Sequence, residues 1–430
     1  MKRGWLPRLA AFALALGAGQ AATPVQASGQ TPFEVRAEQL PDLLNGKLKP
    51  ERFFAPSFLA EIPPEQIALI ARQLAAQNGK LKGVERIVRE TDFNGEVELD
   101  YDRAIVRVQM VVAREAPNLA IGLLVTSVRP RNDSVAQLSK DFATLKGDVS
   151  VLVTRIDAPA EPLLSLNPGT QRAIGSTFKL WVLAEAARQV KAGERSWSDV
   201  IPLGPPSLQS GITQEWPTGA PMTMHSLATL MISLSDNTAT DTLIRALGRH
   251  KLDGFVAGLL GESAERTLPV LTTIEAFALK MDAAADLRAA WQRGHRDERT
   301  RLLQGASAQL SLSAIDRTQF GGGPRFIGDI EWFASASDIA KTLNWLRLKG
   351  GSETLQILGV TVPLPQGEAR RFATIGYKGG SETGVISMAF LIKSKSSQWF
   401  VVSGSWNDPV AAVDEKRFEA LMARSVALVP

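Results

Sequence analysis

Ser176 and Lys179 stand three residues apart in the stretch Ala173–Val182, AIGSTFKLWV. On a helix, residues i and i+3 share one face. With Ser176 opening the helix, its hydroxyl lies at the positive end of the helix dipole, and Lys179, one turn on, can reach it. A serine hydroxyl is a weak nucleophile until a neighbouring base takes its proton, and a neutral lysine amine can be that base. The helix that follows is apolar on most sides, through Phe178, Leu180, Trp181, Val182, Leu183, Ala186 and Ala187. Such a helix is buried centrally rather than laid on a surface. Burial disfavours the charged amine, so the pKa of Lys179 is expected to fall.

Two further short stretches carry polar groups at structurally useful places. Ser235-Asp236-Asn237 follows a helix capped by Thr223 and running through Leu227, Leu230 and Met231, and precedes a second helix over Thr238–Leu247 that Gly248 closes. A junction of that kind projects side chains into a cleft. Lys378-Gly379-Gly380 ends a strand expected over Ala373–Lys378, with a turn through Gly379–Gly384. His225, His250 and His295 are the only histidines, and none has metal-ligand spacing with another. G-x-S-x-G is absent, so a Ser-His-Asp arrangement has no sequence support. No metal or cofactor is expected.

The elements that must position these groups can be read in order. At 430 residues, two domains are the prior. Hydrophobic content of 45% and charged content of 21% suit a soluble globular chain. Residues 1–27 read as a secretory signal peptide: Lys2, Arg3 and Arg8, then the apolar run Leu9–Gly19, then Val25-Gln26-Ala27 as a cleavage site, with Gly19-Gln20-Ala21 as an alternative. The run is too short to span a bilayer. Removing three basic and no acidic residues leaves 45 Lys+Arg against 44 Asp+Glu, so the charge offers nothing to nucleic acid. With no cysteine there is no disulfide framework and no thiol chemistry. The expected destination is the periplasm or the exterior, without membrane insertion after cleavage.

Residues 28–50 are polar and Pro-bearing and are expected to pack weakly. Ile67, Ile70, Ala71 and Leu74 then define an amphipathic helix with Pro64 in its first turn and Gly79 at its end. Three strands are expected next, around Val97–Tyr101, Val106–Met110 and Leu119–Val128, with Asp102-Arg103 turning between the first two. Their alternation implies an antiparallel sheet with one wet face. This is a small α+β domain over residues 28–130, of cystatin-like or nuclear-transport-factor-like type, read as a packing or binding module. Arg129–Ser134 reads as a linker. Beyond it come a helix over Ser134–Leu145, a strand over Val149–Ile156 and a return at Leu163–Leu166. Thr272-Thr273-Ile274-Glu275 fits a capping box, with Glu275 at its third position. Helices are expected over Ser335–Leu346 and Pro409–Leu428, with strands over Val385–Ile392 and Trp399–Gly404.

Ser176-Thr177-Phe178-Lys179, Ser235-Asp236-Asn237 and Lys378-Gly379-Gly380 together form the ordered S-x-x-K, S-D-N and K-T-G set. On these motifs, residues 131–430 resemble the serine β-lactamase (class A) and penicillin-binding superfamily. The layout with a small leading domain resembles the subgroup that includes a cephalosporin esterase of the clavulanic acid pathway. The resemblance implies a class A-like fold, an antiparallel sheet flanked by helices with an all-helical subdomain. It also implies roles. Ser176 would be acylated, with Lys179 as its base or proton relay. Ser235 would pass a proton to the leaving group. Asn237 would orient substrate and Lys179, and Lys378 would attract a substrate carboxylate. Backbone N–H groups of Ser176 and Ser381 would hold the oxyanion, and Gly380, Ser381 and Thr383 would border the substrate. The implied partners are a small β-lactam or ester, or a cell-wall peptide. A D-Ala-D-Ala peptidase and a binding protein that stays acylated remain open alternatives.

Two departures stand out. The third motif lacks its middle hydroxyl. No E-x-x-L-N is present, the motif whose glutamate activates the deacylating water in class A enzymes. Glu265-Arg266-Thr267-Leu268-Pro269 comes nearest, and Glu275 lies about where the glutamate belongs, although its capping box explains it without catalysis. A longer interval between Ser235 and Lys378 points to an insertion within residues 281–325 that reshapes the cleft rim.

Overall fold

The structure, a computed structural model, describes residues 29–430, so the leader expected over residues 1–27 lies outside the described residues. The first helix, Pro32–Leu44, begins with a capping box in which the Glu34 carboxylate accepts the Thr31 N–H at 2.8 Å. Phe33, Ala37, Leu40 and Leu43 share one buried face. The expectation of weak packing over residues 28–50 is therefore corrected. Apolar residues at intervals of four, three and three make the face, and Pro41 inside the helix obscures it in the sequence.

This helix packs on an antiparallel meander of four strands, β1 (Leu81–Thr91), β2 (Asn94–Tyr101), β3 (Ala104–Val112) and β4 (Ala120–Pro130). The helix Pro64–Asn78 stops at Gly79, whose φ of 86° suits glycine. Three strands were expected and four are present. β1 escaped the reading because Lys82, Glu85, Arg86, Arg89 and Glu90 break its alternation and three register shifts bend it. The expected wet face is present on the outer strands, where Lys82, Glu85 and Arg86 of β1 and Leu124 and Val125 of β4 are exposed, but not at the centre of the sheet. Glu96 and Glu98 on β2 are buried, because Arg107 on β3 bonds Glu98 at 2.5 Å and reaches Glu368 of the helix Gln366–Ala369 at 2.8 Å. The polar stripe faces the rest of the chain rather than water.

Beyond residue 131 the centre is a five-stranded antiparallel sheet. Its members are β5 (Asp148–Arg155), β6 (Leu164–Leu166) and, after the short strands β7 (Arg172–Ala173), β8 (Val200–Pro202), β9 (Pro221–Thr223) and β10 (Phe333–Ala334), the long strands β11 (Phe372–Glu382), β12 (Val385–Ser394) and β13 (Trp399–Asn407). The order is β11-β12-β13-β5-β6. Both faces are covered, which is why these strands read as nearly continuous apolar runs. Val151, Val153, Phe390 and Val402 pack with Phe142 and Phe418 of the helices Val135–Ala143 and Glu415–Ala427. Leu152, Ala389, Leu391 and Val401 pack with the helix Lys179–Lys191 and the helical body around it.

One expected boundary moves. β11 does not end at Lys378 but continues through Gly379 and Gly380 to Glu382, and the turn is only Thr383-Gly384. Glycine in a strand marks a close backbone approach. A Cβ on Gly380 would run into the backbone of Ile174, Ser176 and Thr177. The glycine pair is thus an edge strand stripped of side chains so that the Ser176 turn can lie against it. Among the described residues no helix is long and apolar enough to cross a membrane.

Candidate active site

Ser176 sits on a 3-10 turn, Gly175–Phe178, which runs directly into the helix Lys179–Lys191. The turn is held from three sides. The two-residue ribbon of β7 and β10 carries it in, and the Ile174 N–H donates to the Trp332 carbonyl at 3.0 Å. Phe178 and Trp332 stack with ring centroids 3.9 Å apart. Beneath it, the Ser387 hydroxyl on β12 donates to the Ile174 carbonyl at 2.8 Å and bonds the Thr177 hydroxyl. Close packing of this turn on Gly380 brings the backbone nitrogens of Ser176 and Ser381 to one lip of a cavity, and a Cβ on Gly175 would lie 3.3 Å from the Ser381 nitrogen.

Lys179 is 0% exposed. Its Nζ donates to the Ser235 carbonyl at 2.6 Å, to Asn237 Oδ1 at 2.7 Å and to Ser235 Oγ at 3.2 Å. All three acceptors are neutral. Burial first, and the nearby Lys378 charge second, hold its amine well below the ordinary lysine range, against a weaker pull from Asp241 and Asp236. The direct bond from Lys179 to the Ser176 hydroxyl anticipated from their spacing is not formed. The Ser176 hydroxyl is half-buried at the cavity wall, and Lys179 is turned towards Ser235.

Ser235-Asp236-Asn237 does join two helices, Met224–Ser233 and Asn237–Leu247. Ser235 takes φ of 55°, a left-handed conformation uncommon outside glycine, and such strain persists only where surroundings enforce it. Asp236 does the enforcing. It is fully buried, caps the following helix through the Ala239 N–H at 2.9 Å, and accepts the N–H groups of Ile212 and Thr213, both at 2.8 Å. Ser210 adds a bond to the Ser235 carbonyl at 2.9 Å. Lys378 reaches across from β11 and donates to Ser235 Oγ at 3.0 Å. It is 2% exposed, and burial lowers its pKa to about 7. The Ser235 hydroxyl therefore lies between two amines whose pKa values are both lowered by burial. That is a path along which a proton can move in either direction.

The cavity beside Ser176 holds about 350 Å³ and includes Asn237, Ser381, Phe277 and Trp332 in its wall. A contiguous groove carries Ser235, Lys378 and Gly380. Thr383 borders neither, because it sits in the exposed turn after β11. Arg317 and Phe320, from the interval expected to hold an insertion, do form part of the rim. Glu275 is not at the site. Its carboxylate accepts the Thr272 N–H at 2.8 Å and two bonds from Arg249 at 2.7 Å, and it faces a different cavity with Asp253 and Arg296. Glu265 is exposed on the surface and borders neither cavity.

Three residues at the cavity were missed in the sequence. Lys280 is 1% exposed, pairs with Glu331 at 2.7 Å and also bonds Glu382, and both carboxylates line the same wall as Ser176. Two signals were available. Lys280 is a lone cation at the end of the apolar run Ala276–Leu279, and Glu382 is four residues past Lys378, on the same face of the strand.

Residues 132–321 match the family described as Beta-lactamase enzyme family. No curated protein matches the chain. Among solved structures it is similar to a β-lactamase from Sphaerobacter thermophilus, with 21% identity, 69% of this chain and 97% of that one covered, and a TM-score of 0.47. A β-lactamase from Chitinophaga pinensis has 16% identity, coverage of 69% and 98%, and a TM-score of 0.46. A structure described as PBP-A has 17% identity, coverage of 69% and 93%, and a TM-score of 0.47. The family match spans the Ser176 and Ser235 motifs, and Lys378, beyond its end, is bonded to Ser235, so residues 132–321 are similar to the β-lactamase enzyme family and the third motif is placed against them.

Proposed function

We propose that the protein is a secreted serine hydrolase that works through an acyl-enzyme on Ser176, with a β-lactam or a related ester as substrate. The observation that carries this reading is the shared Ser235 hydroxyl, bonded by Lys179 at 3.2 Å and by Lys378 at 3.0 Å, with both lysines buried and their pKa values depressed. Lys179 in its neutral form takes the Ser176 proton as Oγ attacks the carbonyl carbon. The oxyanion is received by the backbone N–H groups of Ser176 and Ser381. Contacts of that kind are worth on the order of 10²–10³ in rate. Ser235 then hands a proton to the leaving nitrogen or oxygen and is replenished from Lys179. Lys378, while charged, draws a substrate carboxylate towards Ser235, and Asn237 holds Lys179 and the substrate amide. The basic, apolar and small-residue succession over residues 1–27 supports export, with the periplasm as the destination.

The test is intact-mass analysis with a cephalosporin and a simple ester, alongside turnover by wild type and Ser176→Ala. A single adduct on Ser176, and turnover lost in Ser176→Ala, are expected. Equal turnover by the two proteins would reject the reading. Release of D-alanine from muropeptides would move the substrate class to cell-wall peptides while keeping the same serine.

A further inference from the structure

The motifs account for forming an acyl-enzyme but leave no recognised group to remove the acyl chain. The wall of the Ser176 cavity holds a carboxyl pair that the family motifs do not include. Glu382 directly follows Ser381, whose backbone N–H shares the lip with that of Ser176. Side chains alternate along a strand, so Glu382 lies on the same face of β11 as Gly380, the residue against which the Ser176 turn is packed. Its side chain is 14% exposed, whereas that of Glu331 behind it is 1% exposed. Lys280 joins both carboxylates from below, and its ammonium lies 5.2 Å from the Phe277 ring centre. Phe277, Phe320 and Trp332 wall the same space on its apolar side, opposite polar groups that include Ser210, Asn237 and Ser381. Both carboxylates line the space beside Ser176, and Glu382 is the more open of the two.

We infer that Glu382 is the general base of deacylation, held by Lys280 and Glu331 so that it faces a water attacking the Ser176 ester. This rests on the reading of Ser176 as the acylated residue. In the step, the water oxygen bonds to the acyl carbon while one of its protons passes to the Glu382 carboxylate. The oxyanion rests on the Ser176 and Ser381 N–H groups. On collapse the bond from the acyl carbon to Ser176 Oγ breaks, and the proton held by Glu382 is returned to Oγ. Water has then supplied the hydroxyl of the acid product and the hydrogen of the regenerated serine.

The charges around Glu382 give the step a pH signature. Burial, and then the neighbouring Glu331 charge, push the Glu382 carboxyl well above the ordinary carboxylate range, against the opposing pull of Lys280. Arg317 is the remaining charged group on this wall. Only the ionised form accepts a proton, so adduct clearance should rise with pH. Replacing Glu331 with glutamine removes a charge that disfavours ionisation, so the midpoint of that rise should move to lower pH.

The experiment follows the Ser176 adduct over time by intact mass in wild type, Glu382→Gln and Glu331→Gln, across pH, with a cephalosporin as the probe. The expected result is that Glu382→Gln acylates but clears its adduct at least ~100-fold more slowly, the scale of a lost general base. Clearance from Glu382→Gln at the wild-type rate overturns the inference and leaves the Ser176 reading intact. A wild-type adduct that never clears does the same. No adduct on wild type removes the Ser176 reading itself. Should Glu382→Gln fail to acylate through misfolding, the Glu331→Gln midpoint decides: a downward shift supports the inference, and an unmoved midpoint overturns it.

Discussion

Two buried lysine sites have partners that line the Ser176 cavity, and they behave in opposite ways. Lys179 is completely buried and meets a carbonyl, an amide and a hydroxyl, all neutral. Lys280 is equally buried and meets two carboxylates. Burial alone lowers both amines. At Lys179 nothing charged is close enough to reverse it, so the amine falls well below the ordinary range. At Lys280 the Glu331 and Glu382 charges outweigh burial, and the amine is raised. The difference teaches that what makes a lysine a base is the absence of a partner as much as the presence of a wall. A buried cation with carboxylates braces a structure, while a buried amine with only dipoles can accept a proton.

The two sites also respond oppositely to pH. Lys280, raised in the fold, adds stability that is present below the ordinary lysine value and lost as pH climbs through its folded value. Lys179, lowered in the fold, makes the unfolded chain bind more protons between its folded value and the ordinary one, so its contribution improves as pH rises across that interval. The same substitution at the two positions would break or sharpen this contrast. Lys280→Met strands two buried carboxylates and should lower stability by about 3–5 kcal/mol in chemical denaturation at neutral pH. Lys179→Met removes an amine that is already disfavoured there, so stability should hold or rise while the rate of Ser176 acylation falls by about 10²–10⁴. If both variants lose stability equally, or if Lys179→Met acylates at the wild-type rate, the division of labour between the two lysines is wrong.

How much of this was legible in the sequence follows from distance along the chain. Ser176 and Lys179 are one turn apart, and Ser235 to Asn237 are adjacent, so local spacing revealed them. The helix Pro64–Asn78 and the long sheet strands were legible for the same reason, through period and composition. The Lys280 cluster was not, since its partners are 51 and 102 residues away and no short pattern joins them. The first helix was hidden by Pro41, and β1 by charges that break its alternation and stay mostly exposed along its irregular register. The glycines after Lys378 were read as a turn because glycine permits one. Only the packed Ser176 turn, more than two hundred residues earlier, explains them as strand.

A smaller effect concerns Lys378, which belongs to the Lys179 side of the comparison because it too is buried without a carboxylate. With its pKa near 7, it is charged below that value and neutral above it. A substrate carboxylate is attracted only by the charged form. KM for an anionic β-lactam should therefore climb as pH rises through 7, by up to about tenfold per unit, the rate at which the charged fraction falls. KM for an uncharged ester should stay level over the same range. Parallel curves for the two substrates would mean that Lys378 does not read the carboxylate.

The smallest expected effect on the reaction sets one carboxylate against another. Glu275 was the visible candidate for deacylation because it lies about where the class A glutamate belongs, but its capping box and an ion pair occupy it: the Thr272 N–H and the Arg249 guanidinium already take its oxygens. A carboxylate satisfied from both sides has little left to offer a water, and it faces a different cavity from the one beside Ser176. Glu275→Ala should therefore lower stability by about 2–3 kcal/mol, the scale of a lost capping contact together with the part-buried Arg249 pair. The lifetime of the Ser176 adduct should not change. A longer-lived adduct in Glu275→Ala would return deacylation to the helical side of the site and take it from the edge strand, because only one of these two carboxylates can face the same acyl carbon.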